Sequence, residues 1–309
     1  MNETGKNIIR ILGIESAAVT ASVAIVTEGA VLAEYTVSNK LTHSQTLLPM
    51  IDAICRMADV KVADLSAIAV SGGPGSFTGL RIGSATAKGL GLAADKPLVH
   101  VPTVDAMAYQ AYGYDGVICP MMDARRDQVY CGIYAFEEKE FRVLLPQAPR
   151  SVEEILEELA RIAGGRRVLL MGEGVPVHRE AILAALGERA DLAPPHLALE
   201  RGAAVAALGL AMYRRGETET AAEHAPEYLR PSQAERVRAE KAQTAGKAAD
   251  TAVVSRDAVV REENAVKQEE KEQKTAPGKT EPAPKQDLNV EIDGHVGTRD
   301  PRWRRDGIV

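Results

Sequence analysis

Few residues in this chain are able to do chemistry, and most lack the spacing that chemistry needs. The six histidines, His43, His100, His178, His196, His224 and His295, include no pair four residues apart. No single helix can therefore present an H-x-x-x-H grip to a metal ion. Cys55, Cys119 and Cys131 have no C-x-x-C spacing, which argues against both a disulfide framework and a cysteine-rich zinc site. Cys131 falls mid-strand and reads as core rather than nucleophile. His43, near a helix start, is more often a surface or capping residue than a base. Ser76 follows Gly75, yet the G-x-S-x-G elbow of a serine nucleophile is not met. What remains is a glycine-rich run, Ser71-Gly72-Gly73-Pro74-Gly75-Ser76-Phe77-Thr78-Gly79-Leu80-Arg81-Ile82-Gly83, at a strand-to-helix junction where anions bind. No Gly-Lys-[Ser/Thr] follows, so it is not a P-loop. Gly73-Pro74-Gly75 is followed by Ser76, Phe77 and Thr78, so it is not G-x-G-x-x-G either.

The elements that position these residues repeat. Strands are predicted at 8–15, 21–27 and 31–37, with Glu28-Gly29 as a hairpin turn. A helix at 43–58, a strand at 66–71, a helix at 77–93 and a strand at 97–101 follow. Strands then return near 116–122, 128–136 and 140–145. Ser151 opens a helix, and Glu154 three residues later completes a capping box. A strand at 167–171 and a helix at 177–187 come next. A last helix, 197–215, carries Leu199, Val205, Leu208 and Met212 on a helical repeat. Two successive βββαβα units imply a duplicated α/β fold, each half a mixed sheet with helices on its faces. The domains are expected at 1–103 and 104–231, with the last helix packing back on the first, and a tail at 232–309.

Composition sets the tail apart. From Ser232 to Lys285 there are 11 Lys+Arg and 10 Asp+Glu and no aromatic residue, too little apolar surface to offset chain entropy. The tail is predicted to be disordered, and Trp303 between Arg302 and Arg304 reads as part of an unstructured end or as a short docking motif. From residue 232 onward 15 basic and 15 acidic residues cancel. The chain's net charge of −6 thus belongs to residues 1–231, which argues against a broad phosphate-backbone footprint. An apolar content of 45% excludes wholesale disorder. No apolar run approaches the ~18 residues of a membrane span, and the polar start lacks a signal-peptide core, so the expected location is cytoplasmic.

The element order is similar to that of the ribonuclease-H-like halves of the actin, Hsp70 and sugar kinase group. There, phosphates sit in two hairpin turns of D-x-G-[Ser/Thr] type, where Gly lets amides approach and the acid holds a metal. Here the turns read Glu15-Ser16-Ala17-Ala18 and Asp123-Ala124-Arg125-Arg126, an acid in each and Gly in neither. Glu15, Ser16 and Asp123 are nucleotide-binding candidates on one reading. On the other, the acids satisfy turn backbone groups. Gly79, Gly83, Ala87 and Gly91 recur every fourth residue along one helix face. Each Gly costs about 1 kcal/mol relative to Ala in a helix, so close approach of another backbone must offset them. That backbone belongs either to this domain's own sheet or neighbouring helix, or to another subunit. In helix 43–58, Leu47, Leu48, Ile51, Ile54, Cys55 and Ala58 form one apolar face, which Met50, Ala53 and Met57 widen. A surface helix needs a stripe of only about 100°. The extra width implies either a second, intermolecular contact or a helix enclosed by its own domain.

Five motifs carry a more specific resemblance. Ile11-Leu12-Gly13-Ile14-Glu15-Ser16, His43-Ser44-Gln45-Thr46-Leu47-Leu48-Pro49-Met50-Ile51, the glycine-rich run, Asp123-Ala124-Arg125-Arg126 and Glu227-Tyr228-Leu229-Arg230 together resemble the bacterial TsaB family over about residues 8–231. Glu15 stands where many members have Asp, and the tail has no counterpart. The resemblance implies two ribonuclease-H-like domains and a non-catalytic dimerisation subunit of the tRNA threonylcarbamoyladenosine machinery. The implied partners are a related catalytic subunit, TsaD, which holds a metal through an H-x-x-x-H helix, and an ATPase subunit, TsaE. TsaD modifies N6 of the adenosine 3′ to the anticodon. A homodimer is implied when the partner is absent, and tRNA is met only through the complex. The implied interface comprises Leu47, Met50, Ile51, Ile54, Met57, Gly79, Ile82, Gly83, Ala87 and Gly91. No cofactor or metal of its own is implied, with ATP at the heterodimer interface or on partner subunits. The rival expectation is an ATPase or small-molecule kinase of the same superfold. A peptidase has neither a metal pair nor a nucleophile constellation to support it.

Overall fold

The computed structural model describes residues 8–39 and 41–230; the tail expected over 232–309, Trp303 included, lies outside them. The first sheet is built from β1 (Ile11–Glu15), β2 (Thr20–Val26), β3 (Val31–Ser38), β4 (Ala67–Gly73) and β5 (Leu98–Pro102), in the order β3-β2-β1-β4-β5. The β1–β2 and β2–β3 pairs are antiparallel, and the β1–β4 and β4–β5 pairs parallel. Side chains alternate across the pleat and sort by size. Leu12, Ile14, Val23, Ile25, Ile68 and Val70 meet α1 (His43–Met57) and α2 (Phe77–Ala94). The opposite face has a bare centre, Gly13, Ala24, Ala67 and Ala69, flanked by Ile11, Val26, Val99 and Val101. That bareness lets the alanine-rich α7 (Gly202–Arg214) lie almost backbone to backbone on the sheet. A Cβ at Gly13 would stand 2.7 Å from Ala206 N. The α7 N-terminus is held by distant caps: Gly202 N donates to Ser22 Oγ (2.8 Å), Ala203 N donates to Glu34 Oε1 (3.2 Å), and Arg201 pairs with Glu34.

The second sheet repeats the first strand for strand. It comprises β6 (Val117–Asp123), β7 (Gln128–Glu137), β8 (Glu140–Ser151), β9 (Val168–Met171) and β10 (Ala190–Leu192), ordered β10-β9-β6-β7-β8. One face is covered by α4 (Val152–Ala163), α5 (Gly174–Val177) and α6 (Arg179–Leu186). The other is covered by α3 (Thr103–Tyr109), through Val104, Met107 and Ala108. The protein is therefore an α/β fold of two ribonuclease-H-like halves. The halves exchange helices: α3 follows the first sheet in sequence and packs on the second, whereas α7 follows the second and packs on the first. Among the described residues, no helix is long and apolar enough to cross a membrane.

The capping box at Ser151 forms, with Glu154 N donating to Ser151 Oγ (3.1 Å) and Ser151 N donating to Glu154 Oε2 (2.7 Å). Helix 197–215 is shorter than expected. Gln110 Nε2 donates to the carbonyls of Leu197 (2.8 Å) and Leu199 (3.2 Å), and Gly172 N donates to Ala198 O (2.6 Å). Those tertiary donors satisfy carbonyls that a helix would use, so the segment runs as turns and bends until α7 begins. The expected helix 177–187 is divided at His178 into α5 and α6. Neither α3 nor the three-residue β10 was anticipated.

Most of the expected pairing residues face the interior of the first half. Leu47, Met50, Ile51 and Ile54 are buried in the first core and hold α1 on its own sheet. The glycine stripe of α2 also faces inward. A Cβ at Gly79 would overlap the Ser16 carbonyl oxygen, and one at Gly83 would overlap Ser16 Oγ. Ala87 is fully buried, and Gly91 lies over Leu98 and Lys96 O. Ile82 is half-buried against the same core. Only Met57, 87% exposed, stands clear of the fold. Of the two explanations for the stripe, close packing within the chain is the one realised. Substituting Ile51 with Ala should therefore destabilise the fold by about 2–5 kcal/mol, and Gly83 with Leu by a comparable amount through overpacking. Met57→Ala should change stability by under about 0.5 kcal/mol. Urea unfolding of the three variants checks this ordering.

Candidate functional site

Where the halves meet, a cleft of about 640 Å³ is walled by the turn after β1, the start of α2, the turn after β6 and a C-terminal strap. The strap, residues 217–230, has no helix. It is laced to the first half along its length, with Glu219 and Leu98 exchanging two backbone hydrogen bonds of 2.9 Å and Lys88 Nζ donating to His224 O at 2.8 Å. Glu227 N then donates to Gly72 O (2.7 Å). Gly73 sits at φ +127°, and a Cβ there would strike Glu227 O, so glycine is required twice over at this position. Beyond it the Tyr228 ring lies 4.4 Å from that of Phe77 and its hydroxyl accepts from Arg81 Nε (3.1 Å). The Arg81 guanidinium also stands 3.9 Å over the Phe77 ring. Arg230 Nη1 finally donates to Ala124 O (2.7 Å) in the second half.

The two turns that could cradle phosphates are occupied by the protein itself. In the first, Ser16 N donates to Ser71 Oγ (3.3 Å) and Ala17 N to Glu15 Oε1 (2.6 Å). Ser16 Oγ donates to Gly79 O (2.9 Å), Ala17 O accepts from Ser76 N (2.6 Å), and Ala18 O is 2.8 Å from His43 Nε2. In the second turn, Arg125 N donates to Asp123 Oδ1 (2.6 Å) and Ala124 N to Gln128 O (2.9 Å). Arg125, Arg126 and Asp127 hold positive φ values of 61°, 57° and 54° without a glycine among them. Glu15 and Asp123 thus each accept from an amide two residues on, and the amides of Ser16, Ala17, Ala124 and Arg125 are taken. Ser76, which sequence alone compared with a nucleophile, caps α2 by accepting from Gly79 N (3.3 Å). Burial pushes the Cys131 thiol up to about 11, which removes it as a thiolate nucleophile.

Sequence reasoning missed an acidic cluster behind the first turn. Glu15 and Glu200 are buried, and Glu173 lines the cleft. The buried Glu200 carboxyl meets that of Glu173, and neither has another hydrogen-bonding side chain at Glu200 Oε1, Glu200 Oε2 or Glu173 Oε2. Burial pushes Glu15 up to about 7, against the lowering effect of the Ala17 amide. Burial, reinforced by Glu173 and Glu15, pushes Glu200 well above the carboxylate range. The signal available in the sequence was Glu200 at the entry to an otherwise apolar helix.

The family model of TsaD, tRNA N6-adenosine threonylcarbamoyltransferase, matches residues 30–237. The Bacillus subtilis tRNA threonylcarbamoyladenosine biosynthesis protein TsaB is 33% identical over 227 residues, covering 73% of this chain and 96% of that protein. The chain belongs to the TsaB family. The Escherichia coli TsaB is 37% identical over 132 residues, which cover 42% of this chain and 57% of that protein. The solved structure of YeaZ from Pseudomonas aeruginosa superposes with a TM-score of 0.59 at 26% identity, over 71% of this chain and 99% of that one. The role this family membership gives the chain is in tRNA threonylcarbamoyladenosine biosynthesis.

The buried acids of this TsaB-family chain make its stability depend on pH. Glu15 and Glu200 bind protons more tightly folded than unfolded, so their contribution is complete below the unfolded value of 4.5 and is lost as pH rises. For Glu15 the loss runs from 4.5 to about 7 and amounts to on the order of 3 kcal/mol. Urea midpoints of the wild type should fall between pH 5 and pH 8, and Glu15→Gln should flatten part of that fall. An unchanged slope in the variant would remove the assignment.

Proposed function

We propose that the chain is the non-catalytic, activating subunit of a threonylcarbamoyladenosine synthesis complex and works by pairing with a TsaD-like catalytic subunit. The observation that carries this reading is a mismatch. The chain matches the transferase family model over most of its folded part, yet its sequence contains no H-x-x-x-H pair, and two amides of each phosphate turn are bonded internally. A chain with the shape of the catalyst and without its ligands fits a pseudo-symmetric helper, because subunits of shared ancestry present similar faces to one another. A TsaE-like ATPase joins the pair, tRNA is met only through the complex, and a homodimer forms when the partner is absent. The chain holds no nucleotide of its own, ATP being bound at the heterodimer interface or on partner subunits, and it works in the cytoplasm.

The pairing surface is the outer side of α1 and α2, the side turned away from the buried stripe. Leu48 and Leu92 are 55% and 70% exposed there. Between them α2 presents exposed Ala85 and Gly89, and space around Gly89 is open. Apolar residues around a low-relief strip suit close docking of another helix. Co-expression with the organism's own H-x-x-x-H transferase should yield a complex. The pair Leu48→Asp and Leu92→Asp should abolish it while leaving the melting temperature unchanged and should deplete threonylcarbamoyladenosine from tRNA in a strain relying on the variant. Retained pairing would remove the surface. ATP turnover by the chain alone, lost on changing Glu15 or Asp123, would instead favour the kinase or ATPase reading.

A further inference from the structure

Away from the cleft, the strap brings together two histidines that lie 124 positions apart in the chain. His224 is buried, and its Nδ1 is 2.6 Å from Glu219 Oε1. Its other ring nitrogen, Nε2, is buried and has no hydrogen-bond partner. The half-buried His100 ring on β5 faces it, with ring centroids 5.7 Å apart. His100, Glu219 and His224 offer ligand atoms that all lie within 4.8 Å of one another. The backbone makes room for this arrangement, since a Cβ at Gly72 would overlap the His100 ring.

The Nδ1 edge of the His224 ring is the one turned toward Glu219, so an ion shared by the three donors would bind there. Two imidazoles and a carboxylate are the donor set that zinc-class ions take, with a fourth position open to water on the solvent side. Donors around tetrahedral zinc stand about 3.4 Å apart, a closure within reach of rotating the half-buried His100 and the 28%-exposed Glu219 side chain. We propose that His100, Glu219 and His224 form a zinc-class metal site that staples the C-terminal strap to β5. The site is independent of the pairing surface and of the cleft. Glu219 and His224 are ligands from the strap and His100 is the ligand from the sheet, so a bound ion would cross-link the two. Glu219 Oε1, now 2.6 Å from His224 Nδ1, would share the ion with that nitrogen.

The test uses the full chain, stripped with a chelator and titrated with Zn2+ against a chromophoric competitor, with Co2+ as a spectroscopic probe. One equivalent should bind, Co2+ should give the visible absorption of a four-coordinate site, and Zn2+ should raise the melting temperature and slow hydrogen exchange over 217–230. His100→Asn and Glu219→Gln, at sites less buried than His224, should each weaken binding about tenfold or more and abolish the thermal shift. Absence of stoichiometric binding would overturn the proposal. So would one equivalent bound equally well by both variants, which would place the ion on His43, His178, His196 or His295.

Discussion

The arrangement of the molecule depends on how tightly α2 seats on the turn after β1. Ser16 is the contact point: its hydroxyl donates to Gly79 O, its carbonyl oxygen fills the space where a Gly79 side chain would be, and its Oγ fills that of Gly83. Ser76 N closes the turn from the other side by bonding Ala17 O. Three glycines in a helix cost about 3 kcal/mol relative to alanine. Close contact of the helix backbone with the turn at Gly79 and Gly83, and with Leu98 and Lys96 at Gly91, offsets that cost. The same seating has a chemical consequence. It draws the turn's carbonyls under the helix and leaves its amides to Ser71 and Glu15, so the feature that would cradle a phosphate in a relative with glycine in its turns is here part of the core.

Close packing on one side of α2 also decides what its other side can be. A helix whose inner stripe carries glycine approaches the sheet closely, and the residues between the stripe and solvent are left high on its flank. Ala85, Gly89 and Leu92 lie there, with Leu48 on the neighbouring helix. The buried stripe and the exposed apolar residues are thus opposite sides of α2.

That distinction marks the limit of what the sequence made legible. The βββαβα repeat, the capping box at Ser151 and the absence of glycine from both turns could be read directly, because each rests on local periodicity or on residue type. The family motifs could be read for the same reason. The direction of the glycine stripe could not, since a period of four residues fixes a face but not what the face meets. The start of α7 was misplaced because Gln110 and Gly172, remote in sequence, take the carbonyls of residues 197–199. Helix α3 is short, and β10 is only three residues long, below the length at which periodicity carries weight. The Glu15–Glu173–Glu200 cluster and the His100–His224 pair were invisible for a further reason: each is assembled by the chain's return over the first half after residue 200.

That return also binds the two halves to one another. Because α3 covers the second sheet and α7 covers the first, uncoupling the halves would expose an apolar face on each. Ala17 and Leu80, from the first half, are buried in the second half's cluster, and Arg230 ties the strap to Ala124. Enzymes that clamp a nucleotide between two such halves need a hinge whose opening exposes little apolar surface. At roughly 25 cal/mol per Å² of apolar area, exposing several buried side chains per sheet makes wide opening costly here. A cleft held at one width by exchanged helices and a laced strap serves poorly as a clamp. It serves well to keep the outer face of α1 and α2 in one shape.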